Sequence, residues 1–415
     1  MIKVDSQKAA NNVVMLYIMN IAQIVMPLIT LPYLARVLSV DNYGIVSYVK
    51  SIMVYANLIM QFGFLLSGTR KIVEAKGNLK KIGKVVGCLT QARLFLSVIS
   101  LIVLVLMIAN IKILRSNALF TLLMFVPIFL DTFLFEFLFR GLEKMHIITL
   151  RYLITKSISA ILTFVVIRKS SDMLLIPTLD IFASIVAIIL IQFELKKLHI
   201  KIYRDSLRNT MNALHESFVY FISEMSSTVF NALNTVLVGI FLSSRDVAFW
   251  GLTLSFIGAV QSMYYPVSDG IYPEMVKNHN IKLFNKFLLI FTPLILIGCL
   301  IVFFGSSVLM FIIGGSKYVK AAYLLRLSTP LLFLLFYSIL CGWPLLGSIN
   351  KNKEVTFTTI LGALFQILGL LILIITHNFN LVSVLVIRTL SEGVILLSRL
   401  ILFWKYRSMF NLYGE

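Results

Sequence analysis

Apolar and polar positions along this chain fall into long blocks, without the short period of a surface helix or the alternation of a half-buried strand. Twelve apolar stretches stand out, at about 12–34, 43–67, 88–110, 118–139, 146–167, 172–193, 213–242, 247–270, 284–304, 321–349, 355–376 and 381–403. Each is long enough to cross a bilayer, since about 20 apolar residues span the hydrocarbon core as a helix. Only a helix or a closed barrel satisfies every backbone polar group there. The pattern predicts an all-α polytopic membrane protein with about 12 transmembrane helices.

Composition agrees. Apolar residues make up 59% of the 415 positions, and the mean hydropathy is +0.94. The longest polar stretches, 69–87 and 194–212, are too short to form a soluble domain. This excludes an extramembrane catalytic or nucleotide-binding domain. The first apolar segment is too long for a signal peptide and reads as a retained helix.

The formal charge of +19 has a sided distribution that points away from nucleic acid. Of 37 Lys and Arg, 22 lie in the terminal and even-numbered loops on one side, 8 in the loops on the other, and 7 inside spans. By the positive-inside rule both termini are expected in the cytoplasm. The basic loops would touch anionic lipid heads. Cys88, Cys299 and Cys341 all fall in spans and read as small buried hydrophobes.

Six spans precede the basic segment Glu194–Asn212 and six follow it. Leu34–Asp41 and Val238–Arg245 each close the first span of a half, and each leads through a very short turn into an aromatic–small start, Tyr43-Gly44 and Phe249-Trp250-Gly251. This predicts two parallel six-helix bundles, 1–198 and 199–415, related by a pseudo-two-fold axis along the membrane normal. The prolines all lie in spans or at their ends; Pro27 and Pro32 are expected to kink the first helix.

Charges at membrane depth are costly, so each is a functional candidate. The basic ones are Lys50, Arg93, Arg151, Lys156, Arg326, Arg388 and Arg399; the acidic ones are Asp131, Glu136, Asp180, Glu216, Glu224, Asp269 and Glu392. Arg93, Glu136, Arg151, Glu216, Asp269 and Arg399 are placed close enough to the cytoplasmic face to snorkel. Asp131, Lys156, Asp180, Glu224 and Glu392 lie nearest mid-membrane and are read as coupling or ion-pair candidates. Arg388 with Glu392, and Lys156 with Asp180, have the spacing or depth of internal pairs. Lys50 has no such partner nearby in sequence and is the leading ligand candidate, joined by Arg36, Arg326 and Arg388. Cations in the outer half suit an anionic cargo such as a phosphate or pyrophosphate.

Motifs for other chemistries are absent: no phosphate-binding loop, no His-Glu-x-x-His, no paired-cysteine metal site and no nucleophile elbow. No cofactor is expected. Gly314-Gly315-Ser316-Lys317 reads as an outer-face turn. Gly83-x-x-x-Gly87 offers a close-packing surface.

Leu28-Ile29-Thr30-Leu31-Pro32-Tyr33-Leu34-Ala35-Arg36-Val37-Leu38-Ser39, with Asp41-Asn42-Tyr43-Gly44, resembles the first-helix signature of Wzx-type polysaccharide flippases of the multidrug/oligosaccharidyl-lipid/polysaccharide exporter superfamily. Gly141–Met145, Phe311–Tyr318 and Gly347–Lys353 resemble later segments of the same family. Ser39 stands where the family more often has glycine. The resemblance covers essentially the whole chain. It implies a V-shaped transporter, not an enzyme, moving an undecaprenyl-pyrophosphate-linked oligosaccharide for O-antigen or capsule between leaflets by alternating access. It also implies a cationic lumen that includes Lys50 and Arg36. Expected partners are that lipid-linked oligosaccharide, membrane lipids and the polysaccharide polymerase machinery, with no nucleic acid. The alternatives are a cation-coupled multidrug antiporter of the related branch and a membrane-embedded O-antigen polymerase or ligase. The outer-half cations weigh against the first. The short, apolar outer loop 305–320 weighs against the second.

Overall fold

The computed structural model describes residues 2–75 and 77–410; Lys76, one of the loop cations counted above, lies outside them. Every regular element among the described residues is a helix. In chain order they are α1 Ile2–Val37, α2 Val40–Gln61, α3 Phe64–Glu74, α4 Leu79–Asn110, α5 Lys112–Arg115, α6 Ala118–Leu130, α7 Glu136–Gly141, α8 Met145–Val166, α9 Leu175–Lys197, α10 Leu207–Phe241, α11 Ser244–Asn278, α12 Ile281–Gly314, α13 Ala322–Leu327, α14 Thr329–Leu340, α15 Asn352–Ile375 and α16 Leu381–Tyr406.

Eleven helical stretches among the described residues are long and apolar enough to span a membrane. They coincide with the expected spans, apart from the seventh. That segment is α10, which is 35 residues long; among its described side chains Ala232–Phe241 forms a shorter apolar stretch. Polar residues such as His215, Glu216, Ser217 and Glu224 dilute the rest. The chain is a multi-pass membrane protein, and its exposed apolar side chains are the surface a bilayer would cover. They are most numerous on α12, with Leu289, Leu294, Ile297, Ile301, Phe304 and Val308 all exposed.

Helix starts follow side-chain chemistry. Ser39 Oγ accepts from the Asn42 N–H at the start of α2. Ser243 and Asp246 form a reciprocal capping box at the start of α11. Ser39 and Ser243 occupy matching positions in the two short segments aligned above, so both turns end on the same device. The three cysteines are buried, as expected. Gly315, at φ +79°, closes α12 at the expected outer-face turn.

The chain packs as two compact units, Met1–Val236 and Leu237–Glu415. In the first, α1 lies along α8, where Tyr33 Oη donates to the carbonyls of Phe164 and Ile167. Its core joins α3, α4 and α7 through Phe64, Val86, Leu89, Phe137 and Leu138. Most of α10 also belongs here. Ser67 and Ser217 share a buried 2.7 Å hydrogen bond, Lys71 pairs with Glu216 at 2.7 Å, and Phe62 stacks on Phe221 at 4.6 Å. The segment at residue 199, where the sequence places the break between two bundles, therefore lies inside this unit.

Gly83 and Gly87 admit close packing, but against an extended segment rather than a helix. A Cβ on Gly83 would stand 1.9 Å from the Lys201 carbonyl oxygen, and one on Gly87 would stand 1.8 Å from that of Tyr203. The Tyr203 N–H donates to the Gly83 carbonyl at 3.1 Å. The segment before α10 is thus strapped across α4.

Among the described residues, three spans are broken inside the apolar depth. The first break is at Phe62 and Gly63, both with positive φ. The second is at Asp131–Phe133, a 3-10 turn followed by Phe135 at φ +48°. The third is at Cys341–Leu346, a π-helical turn in which Gly342 leaves helical geometry two residues before Pro344. Such breaks survive in a membrane only where protein or water meets the freed backbone groups.

Candidate functional site

Arg93 meets the backbone groups freed at two of these breaks. Proline at 127 and the 3-10 turn after it interrupt the hydrogen-bond ladder of α6. Arg93, on α4 and only 4% exposed, donates from Nη1 to the Asp131 carbonyl at 3.2 Å. Its Nε points to the Met60 carbonyl at the end of α2 at 3.4 Å. One buried cation thus ties two interrupted spans together. Arg399 ties one break to an unbroken helix, α15, in the second unit. It is 8% exposed, donates to the Ser338 carbonyl beside the π-helical turn, and reaches Thr358 Oγ1 at 3.2 Å and Thr359 Oγ1 at 3.1 Å.

The break in α6 opens onto a cavity of about 330 Å³ in the first unit. Its wall carries Arg93, Arg151 and Lys156 against Asp131, Glu136 and Asp180, with Gln61, Tyr152, Thr155 and Ser184 between them. Lys50, half-buried on α2, adds a further cation close enough for its charge to act on Asp180 and Lys156. Charged groups therefore line the interior of a membrane-embedded unit, where other charges, hydrogen-bonding groups or water must solvate them.

Two corrections to the depth-based reading follow. Arg93, Arg151 and Arg399 do not snorkel: all three turn inward, because broken helices and a half-buried carboxylate offer acceptors there. Arg151, 6% exposed, pairs with Glu136 through Nη2, while its buried Nη1 has no hydrogen-bond partner among the described residues. Second, Lys156 and Asp180 share the cavity but form no ion pair among the described residues. Asp180 Oδ1 instead accepts from Ser159 Oγ at 2.9 Å, across α8 and α9.

The structure brings together Lys50, Asp131, Lys156 and Asp180 of the sequence candidates. The others lie elsewhere. Arg36 is exposed in the last turn of α1. Glu224 of α10 lies at the backbone N–H of Gly63. Arg326 is exposed; its Nε donates to the Phe303 carbonyl at 3.2 Å and its guanidinium covers that ring. Arg388 and Glu392 lie half-buried on α16 of the second unit, where their charges interact. Sequence reasoning missed the site roles of Arg93, Glu136 and Arg151. The one available signal was opposite charge at similar depth on consecutive spans, as for Glu136 and Arg151.

Comparison with known proteins places this arrangement in context. The family described as "Polysaccharide biosynthesis protein" matches over residues 9–279. A protein of Escherichia coli (strain K12) named "Putative O-antigen transporter" is 27% identical over 365 residues, covering 86% of this chain and 88% of its own length. One of the same name from Shigella dysenteriae is 24% identical, covering 86% and 91%. Among solved structures, an inward-facing multidrug resistance MATE family transporter of the MOP superfamily superposes with a TM-score of 0.66 at 13% identity, over 96% of this chain and 98% of that one. The lipid II flippase MurJ in an inward closed conformation gives 0.63 at 15%, over 95% and 87%. At these identities the two structures speak for the fold.

Proposed function

The chain belongs to the polysaccharide biosynthesis protein family, and from that premise we propose that it is a flippase for lipid-linked polysaccharide precursors. The cargo in this reading is an undecaprenyl-pyrophosphate-linked oligosaccharide of O-antigen or capsule assembly. It crosses the bacterial inner membrane by alternating access between two six-helix bundles, 1–198 and 199–415, with both termini in the cytoplasm. The observation that carries the reading is the charged cavity of the first unit. A pyrophosphate needs fixed cations with free donors at membrane depth. Lys50, Lys156 and the free Nη1 of Arg151 supply them.

Carboxylates beside those cations have a second use. Asp131 and Asp180 neutralise the site when it is empty, and protonation of either would leave the cations free for the anion. That links cargo binding to proton movement without a soluble energy-supplying domain.

Three measurements test the proposal. Purified protein in liposomes should move a lipid-linked oligosaccharide between leaflets. Deletion in the host should trap lipid-linked single repeat units on the cytoplasmic leaflet, and reporter fusions should place 69–87 and 194–212 in the cytoplasm. Single units on the finished surface lipid after deletion would instead indicate a polymerase.

A further inference from the structure

A polar strip on the second unit has no part in the reading above. Gln261, Tyr265 and Asp269 follow one another at four-residue intervals on α11 and so share one helix face. Gln261 Nε2 donates to Tyr265 Oη at 3.2 Å. Tyr265 is 46% exposed, and the charges of Asp269 and of Glu392 on α16 act on its hydroxyl. Arg388 stands one turn from Glu392, and their charges interact. Two turns before Tyr265, the space in front of Gly258 is empty to 4 Å.

An exposed ring on a bilayer-spanning helix faces either lipid or water. Glu392 decides between them: its carboxylate lies half-buried near mid-membrane, its charge acts on the Tyr265 hydroxyl, and hydrocarbon cannot solvate a carboxylate. Tyr265 therefore borders a water-filled surface. Prolines add acceptors to it. Pro266 and Pro273 lie within α11 and deprive the carbonyls of Ser262 and Asp269 of their helical donors.

We propose that Tyr265, with Gln261, Asp269 and Glu392 around it, is a saccharide subsite that receives the glycan of the lipid-linked cargo. A pyranose ring presents an apolar C–H face and a rim of hydroxyls. A partly exposed aromatic ring matches the face, while an amide, two carboxylates and freed carbonyls match the rim. The inference rests on the flippase reading and adds where the sugar is read.

The test uses the full chain in liposomes with two donors: the lipid-linked oligosaccharide extracted from the host, and the same lipid pyrophosphate trimmed to one sugar. The quantity read is the ratio of initial rates, oligosaccharide to monosaccharide, at subsaturating donor. Tyr265→Ala should lower that ratio about tenfold, the scale of one lost aromatic contact. Tyr265→Phe, which keeps the ring, should leave it nearly unchanged. Equal loss on both donors in Tyr265→Ala would mean a structural role and overturn the proposal. So would tetraphenylphosphonium competing with both donors in wild type but not in Tyr265→Ala, which would mark an organic-cation site. Failure of the wild type to move either donor would instead refute the flippase reading itself.

Discussion

The strap before α10 makes a prediction that depends on geometry alone. Gly87→Ala places a methyl 1.8 Å from the Tyr203 carbonyl oxygen, and Gly83→Ala places one 1.9 Å from that of Lys201. A carbon meets a carbonyl oxygen at about 3.3 Å, so the strap must move by roughly 1.4 Å or more in either variant. Backbone cannot yield as a flexible side chain can. Displacement breaks the hydrogen bond from Tyr203 N–H to the Gly83 carbonyl, a loss of about 0.5–1.5 kcal/mol. It also uncovers Ile200, which is buried, at about 1.5 kcal/mol or more. The sum is about 2–3 kcal/mol, equivalent to a rise of roughly 30- to 150-fold in the open population of the strap. Trypsin cleavage after Lys201 or Arg204 in detergent-purified protein reads that population directly when reclosing is fast. Gly305→Ala is the control, since its added methyl meets nothing within 4 Å. Cleavage of Gly83→Ala and Gly87→Ala at the rate of Gly305→Ala would refute the argument, and with it the strap.

Three further outcomes are expected. Lys50→Ala should abolish surface polysaccharide with normal membrane-inserted protein, while Lys50→Arg should keep part of it, because charge survives but ammonium geometry does not; normal polysaccharide in Lys50→Ala would remove Lys50 from the site. Asp180→Asn should reach normal abundance unaided, because Ser159 rather than Lys156 holds that side chain and an amide oxygen also accepts; low abundance rescued by Lys156→Met on immunoblots would contradict this. Full transport in both Asp180→Asn and Glu224→Gln would reject a coupling role for either. Arg399→Met should lower the thermal stability of the purified protein by about 2 kcal/mol, from four interhelical hydrogen bonds at roughly 0.6 kcal/mol each, and Arg399→Lys should not restore it, since one ammonium cannot reach Ser338, Thr358 and Thr359 together; unchanged melting in Arg399→Met would show that this guanidinium does not hold the break.

Much of the architecture could be read from one dimension. A span announces itself by summed hydrophobicity, and that sum belongs to the segment whatever surrounds it, so the apolar blocks and the observed helices agree. Short turns were equally legible: Ser39 and Ser243 cap the helices they precede because the cap is a local hydrogen bond. Proline at 127 and 344 lies in two of the three broken spans, while α1 runs as one helix through Pro27 and Pro32. Direction was not legible. Depth alone sent Arg93, Arg151 and Arg399 toward the lipid heads, yet each turns inward to acceptors contributed by remote segments. For Arg93 and Arg399 these include carbonyls beside breaks in other spans. Similar depth paired Lys156 with Asp180, but the packing of α8 against α9 gave Asp180 to Ser159. Gly83 and Gly87 promised close approach, and only the fold named an extended strap as the partner. Hydropathy measures whether a residue can leave water; which charges then meet is settled by neighbours tens of positions away, because at membrane depth a polar group takes whatever partner the packing brings.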